Sequence, residues 1–256
     1  MTTEVRRPGA LPLWEVPGWR ERFGVTAGIT GRGDDPAHPF DLGLWTDRPV
    51  GTVMGQWRAF RQALADDCPA LVMAHQVHGD RVLWHDAGAP GSWAIHEGAD
   101  GHATIRPGLA LLVTVADCIP VYLVDPVRRA VALLHAGWRG TAAGILAHGV
   151  DLLRRQAGTD PADLVMHAGI GISGPCYEVG AEVMAGVRAA HDGPGPWQLD
   201  LRAVLAEQAR ALGVGEVTVS DHCSAREAEH FHSHRRSGGR DGRMVAWLGL
   251  RVKGEG

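Results

Sequence analysis

Hydrophobic positions along the chain follow two periods. Leu109–Ala116, Val121–Asp125 and Ala130–His135 are short and almost continuously apolar, the pattern of strands covered on both faces. Asp125-Pro126 separates the last two and predicts a hairpin turn. Phe23–Thr30, Leu71–Val77, Leu164–Ile172, Val217–Ser220 and Met244–Leu250 also read as strands, the last two closing the sheet. Val53, Trp57, Phe60 and Leu64 recur at helical spacing within Val50–Ala65, which predicts a helix there. Thr141–Gln156, with Thr141 as N-cap, and Gly180–Ala190 and Leu199–Leu212 read as further helices, with Gly213 suited to end the last. Close-set strands with helices between them predict an α/β (α+β) fold, a layered sandwich of mixed β-sheets flanked by helices. Gly31–Pro39 and Gly193–Pro196 are loop-like but too short for linkers, so residues 1–256 read as a single domain.

Composition narrows the function classes. The hydrophobic share of 45% and charged share of 21% are those of a folded globular chain. The net charge is −4 and the basic residues form no patch, which argues against a nucleic-acid partner. The apolar run Leu109–Val115 is far too short to span a bilayer, and Met1–Leu13 lacks the apolar core of a secretory signal. Cys68, Cys118, Cys176 and Cys223 are widely spaced and form no CxxC pair, so reduced thiols and a cytoplasmic location are expected. Glycine, at 35 of 256 residues, shows no three-residue period and gathers in tight turns beside the strand-like runs.

Three of those turns carry chemistry. They are His75-Gln76-Val77-His78-Gly79, Ala116-Asp117-Cys118-Ile119-Pro120 and His135-Ala136-Gly137-Trp138-Arg139-Gly140. Each places a borderline or soft metal ligand at a strand end. His78, Cys118 and His135 lie 40 and 17 residues apart, too far for a zinc finger but suited to a site assembled from several strands. Two imidazoles and one thiolate leave a tetrahedral zinc one open position, the arrangement of a catalytic ion. Taken singly, each has the more usual reading of an inert core or loop residue. Gly137, Gly140 and Arg139 precede the expected helix at Thr141, where free N–H groups and a guanidinium suit an anion such as phosphate. A plain salt bridge for Arg139 is the competing reading. Asp117 and Asp100 are candidate acid–base or ligand-supporting groups, or loop-holding hydrogen-bond acceptors.

These segments resemble the laccase-domain family, once called multicopper polyphenol oxidases and now regarded as purine nucleoside phosphorylases. The resemblance extends to Gly174-Pro175-Cys176-Tyr177-Glu178-Val179-Gly180, to Ser233 with Arg235-Arg236, to Gly242-Arg243-Met244 and to Phe40-Asp41-Leu42-Gly43, in order over residues 23–250. Ala99-Asp100-Gly101 matches a family Ala-Asp-Ala-like segment. The resemblance implies a layered α/β sandwich and a zinc held by His78, Cys118 and His135, with copper as the alternative ion. It implies phosphorolysis of adenosine, inosine and methylthioadenosine with some adenosine deamination, Arg139 and Arg235 lying on the substrate side.

Four departures stand out. His75 replaces the usual Asn and could compete as a ligand. Gly101-His102 stands where the family has Ala-Leu. His232 and His234 replace aromatic residues. On a strand, His230, His232 and His234 would share one face and could hold a second metal, or they are simply polar. The competing functions are a Cys118–His135 amidase acting on cell-wall peptide precursors, a copper-dependent phenol oxidase, and a non-enzymatic binding protein using its Trp residues.

Overall fold

The computed structural model describes residues 3–252. Two mixed β-sheets lie face to face. The first has seven strands, in spatial order Val5–Arg6, Leu13–Glu15, Val25–Thr30, Met244–Leu250, Leu109–Val115, Ala70–His75 and Trp93–Glu97. The second has six, in the order Glu216–Val219, Val165–Ala168, Ile119–Asp125, Ala130–Ala136, Gly101–Thr104 and Val82–His85. Helices cover the outer faces.

Alternating side chains of single strands sort the core into three layers. Leu111, Val113 and Val115 meet Tyr122, Val124, Val131 and Leu133 between the sheets. Ala110 and Leu112, pointing the other way, meet Val53, Trp57, Phe60 and Leu64 of the Val50–Leu64 helix. On the far side, Val121, Leu123, Ala132 and Leu134 meet Leu146, Val150, Leu153, Leu205 and Ala209. Strands buried on both faces are therefore apolar throughout, which is why the runs near residues 109–136 were readable. The Tyr122 hydroxyl ties the two sheets by donating to the Gly28 carbonyl at 2.8 Å. The expected hairpin is present, with Ala130 opposite Asp125 and Ala136 opposite Ile119. Asp125 Oδ1 shapes its turn by accepting from the Val127 and Arg128 amides, both at 2.8 Å.

Several expected elements differ. The helix assigned to Thr141–Gln156 is two helices, Trp138–Ala143 and Ile145–Ala157, broken where Gly144 takes φ 90°. Thr141 lies inside the first, and Gly137 occupies the N-cap position. The helix at Gly180–Ala190 spans only Ala181–Gly186. The helix at Leu199–Leu212 spans Leu201–Ala211 and is capped by Asp200, which accepts from the Arg202 amide at 3.0 Å. Met244–Leu250 does not close a sheet: it lies in its middle, between Val25–Thr30 and Leu109–Val115. His230–His234 is not a strand; the chain runs without regular structure to a four-residue helix, His234–Ser237.

Candidate active site

The site lies at one edge of the sandwich, where strands of both sheets end. Cys118 sits in the short crossover that carries the chain from Leu109–Val115 in one sheet to Ile119–Asp125 in the other. His135 is near the end of Ala130–Ala136, directly opposite Pro120. His78 follows the Ala70–His75 strand and takes φ 58°. Asp117 takes φ 87°, so two residues beside the chemistry hold the left-handed conformation that L side chains rarely adopt.

One ligand atom from each of His78, Cys118 and His135 lies within 4.8 Å of the others. Among the described residues this is the one such group of three. The two imidazole rings meet edge to face, with centroids 4.9 Å apart. Gly137 closes the back of the trio: a Cβ there would lie 3.0 Å from Cys118 Sγ and 3.4 Å from His78 Cδ2. Two imidazoles, a thiol and a glycine that leaves them room are a donor set that fits a zinc ion.

Asp100 supports this group from behind and is completely buried. Its Oδ1 accepts from His135 Nδ1 at 2.8 Å, leaving Nε2 as the ligand atom. The same carboxylate takes the amides of Val77, His78 and Gly79 at 3.1, 2.9 and 2.8 Å. Burial works to raise its pKa, but the His135 hydrogen bond and the Gly79 and Val77 amides hold it below the usual carboxylate range.

The thiol and imidazole are matched electrostatically. Burial opposes ionisation of Cys118, yet the charge of His135 and hydrogen bonds from His135 and His78 draw the thiol down to about 6. Burial also opposes protonation of His135, while the Cys118 thiolate and Asp100 raise it to about 9. Each charged form thus favours the other, and a bound cation replaces the proton between them.

The trio opens into a cavity of about 460 Å³, also lined by Trp45, Asp117, Arg139, Tyr177 and Arg235. That volume suits a small-molecule ligand. Asp117 holds the wall together: its Oδ1 accepts from Ser224 Oγ and its Oδ2 from the Arg235 amide, both at 2.6 Å. Arg139 is exposed, lies 4.3 Å over the Trp138 ring and has no ion-pair partner among the described residues, which leaves its charge available to an anion. The plain salt-bridge reading of Arg139 therefore has no partner to support it. Arg235 lies 5.1 Å over Tyr177 and donates to the Glu178 carbonyl at 2.8 Å. Gly140 is not in the wall; it is buried, and a Cβ on it would meet the Gly79 carbonyl at 2.7 Å.

The remaining histidines lie elsewhere. His75 lines the cavity but stands apart from the trio, its Nδ1 3.3 Å from Glu97 and its ring 4.9 Å from Trp45. His232 uses both ring nitrogens, on Asp241 Oδ1 at 2.6 Å and the Phe40 carbonyl at 2.9 Å. With no shared strand face and both His232 nitrogens engaged, His230, His232 and His234 form no ligand group among the described residues. Sequence patterns gave Trp45 and Tyr177 no role. Tyr177 stands inside a motif of the resemblance, whereas Trp45 carries no local signal at all.

Fold and site together define an α/β-sandwich protein with a two-histidine, one-cysteine group at a cavity of small-molecule size. Residues 22–251 match the family described as multi-copper polyphenol oxidoreductase laccase, and the chain belongs to that family. It is 38% identical over 253 residues to a purine nucleoside phosphorylase of Deinococcus radiodurans, covering 95% of this chain and 94% of the relative. It is 33% identical over 249 residues to the purine nucleoside phosphorylase YlmD of Geobacillus stearothermophilus, covering 89% and 91%. A crystal structure described as the hypothetical protein YfiH of Bacillus licheniformis superposes with a TM-score of 0.86 at 32% identity, covering 95% and 98%.

Proposed function

We propose that this protein is a zinc-dependent purine nucleoside phosphorylase acting on adenosine, inosine and methylthioadenosine, with adenosine deamination as a side activity. The carrying observation is the convergence of His78, Cys118 and His135 at a cavity whose wall includes the unpaired Arg139. In this reading residues 1–256 act as one catalytic domain in the cytoplasm, with nucleoside and phosphate as partners. Among the described residues no helix is long and apolar enough to cross a membrane.

Phosphorolysis joins a phosphate oxygen to the anomeric carbon as the bond to the purine nitrogen breaks. Arg139 and Arg235 bind and orient the phosphate, which converts a bimolecular encounter into a positioned one. Trp45 and Tyr177 offer apolar faces to the purine and keep water from the reacting carbon. Asp117, holding two donors, keeps the Cys118 turn and the Arg235 segment in register. Asp100 fixes the His135 tautomer rather than meeting substrate, because it is buried outside the cavity wall. A zinc ion held by His78, Cys118 and His135 would supply a Lewis-acidic position that lowers the pKa of bound water, the chemistry deamination at the purine C6 needs. The family description names copper, and two histidines with one cysteine are also the ligands of blue-copper centres, so metal analysis belongs to the test.

Incubation of metal-analysed protein with adenosine tests this reading. Adenine and ribose 1-phosphate are expected only when phosphate is present, with inosine as the minor product. No adenine in phosphate buffer overturns it.

The thiolate–imidazolium pair supports a second reading. Cys118, His135 and Asp100 stand in the order of a thiol, a base and an orienting carboxylate, as a cysteine amidase requires. The readings separate on alkylation: iodoacetamide inactivates the amidase at Cys118, whereas a stoichiometric zinc ion shields that sulfur.

A further inference from the structure

Gln76 stands two residues before His78 and has no part in the proposed chemistry. Its side chain answers a break in the seven-stranded sheet. The parallel strands Ala70–His75 and Leu109–Val115 keep register from Ala70 opposite Leu109 to Val72 opposite Leu111. Beyond that, each follows its other neighbour: His75 lies opposite Glu97, and Val115 opposite Met244. The two chains therefore part as they approach His78 and Cys118. Gln76, Thr114 and Ala116 line the cavity there.

The Gln76 amide spans that gap. Its Oε1 accepts from the Thr114 amide at 2.7 Å and from Thr114 Oγ1 at 2.8 Å. Its Nε2 donates to the Thr114 carbonyl at 2.9 Å. A backbone N–H can only donate and a carbonyl can only accept, so these two fixed groups decide which end of the side-chain amide is oxygen. The side chain thus takes the bonds that a neighbouring strand would take, beyond the point where the backbone ladder stops.

The bridge lies between two ligands of the trio. Thr114 is four residues before Cys118. The other two ligand pairs have ties of their own. Asp100 joins His135 to the His78 turn. The hairpin register sets His135 opposite Pro120, two residues past Cys118. His78 and Cys118 are tied through Gln76.

We propose that Gln76 is a positioning residue for the metal centre: by closing the splayed strands, it sets the separation of His78 from Cys118. Its oxygen is committed to Thr114, so it acts through the strands and not as a ligand. Without the bridge, an ion must first draw the two segments together, and that ordering cost is taken from its affinity. The inference rests on the reading of the trio as a zinc site.

Gln76→Met tests it, because methionine keeps the side-chain length and removes both bonds to the Thr114 backbone. Hydrogen exchange at the Thr114 amide of the metal-free protein should quicken about tenfold. Zinc affinity, measured by competition with a chelator, should fall about 10–100-fold, the usual cost of losing a group that orients ligands. Gln76→Glu keeps an accepting oxygen but sets a second oxygen against the Thr114 carbonyl; the same loss of affinity is expected, and it decides the matter if the methionine variant does not fold. Unchanged exchange at Thr114 overturns the bridge. Native zinc affinity in the folded variants overturns the positioning role, even if their melting temperature falls. An unaltered protein that binds no zinc is a failure of the zinc reading; it ends the positioning role, while the exchange result still decides the bridge.

Discussion

His135 Nδ1 donates to Asp100 Oδ1 at 2.8 Å, and the carboxylate has no exposure to solvent. Asp100 thus couples one ligand of the trio to the loop of another, because it also accepts the His78 amide at 2.9 Å. Asp100→Asn keeps the shape but removes the charge and one accepting oxygen. Metal affinity should fall about 10–100-fold, the usual cost of losing such a supporting carboxylate. Competition with a zinc chelator measures it, and an unchanged affinity would remove Asp100 from the account.

Gly137 is constrained by the trio rather than by its own backbone, which is extended at φ −78°. In Gly137→Ala the new methyl would press on Cys118 Sγ at 3.0 Å. The strands on either side of the Cys118 crossover, and the one carrying His135, are buried on both faces and resist displacement. Zinc per chain should therefore drop, with a thermal-stability loss of about 1–3 kcal/mol from overpacking. Metal analysis beside calorimetry separates these effects; full zinc occupancy would show that the methyl is accommodated.

Arg139 has no ion-pair partner among the described residues and only its stacking on Trp138 to lose, so Arg139→Ala should cost no more than about 0.5–1 kcal/mol of stability. The KM for phosphate should rise about 10–100-fold, the cost of one charged hydrogen-bonding group at about 1.5–3 kcal/mol. The KM for the nucleoside should move far less. Equal increases in both would indicate a structural role for the guanidinium.

How much of this was legible follows from where each residue finds its partner. The apolar runs at Leu109–Val115 and Ala130–Ala136 were readable because both faces are covered, and the Val50–Leu64 helix because one face is. Val82–His85, Trp93–Glu97 and Gly101–Thr104 were missed: their polar histidines and glycines break the alternation, and they form strands because neighbours pair with them. Thr141 looked like a helix start because Arg139-Gly140 resembles a loop, yet Gly140 is helical and packed on the Gly79 carbonyl. The His230–His234 pattern misled because Asp241 and the Phe40 carbonyl, both distant from a local reading, decide the conformation of His232. The three turn motifs were readable as sequence, but only the crossover between sheets explains why Cys118 meets His135.

Two histidines of those missed strands give a pH prediction. His85 Nε2 lies 2.9 Å from His102 Nδ1, and His102 Nε2 is buried without a partner. Burial and then the neighbouring imidazole charge lower His102 to about 3; burial and then His96 lower His85 to about 4. Below pH about 6.5 the unfolded chain binds protons at these positions while the folded chain does not, so stability falls with falling pH. The loss begins near pH 6.5 and runs through the folded values of about 4 and about 3. Each histidine that is protonated only in the unfolded chain costs about 1.4 kcal/mol for every tenfold rise in proton concentration. Urea unfolding between pH 7 and 4 should show it. His102→Leu should flatten that dependence, and an unchanged slope would place the acid sensitivity elsewhere.

The central claim is that His78, Cys118 and His135 share one ion. Zinc K-edge X-ray absorption on the purified protein tests it most directly. The account predicts one sulfur scatterer at about 2.3 Å and two imidazole nitrogens at about 2.0–2.1 Å, with a light-atom ligand completing the shell, and loss of the sulfur shell in Cys118→Ser. A shell with no sulfur in the unaltered protein, or one unchanged by Cys118→Ser, would contradict it.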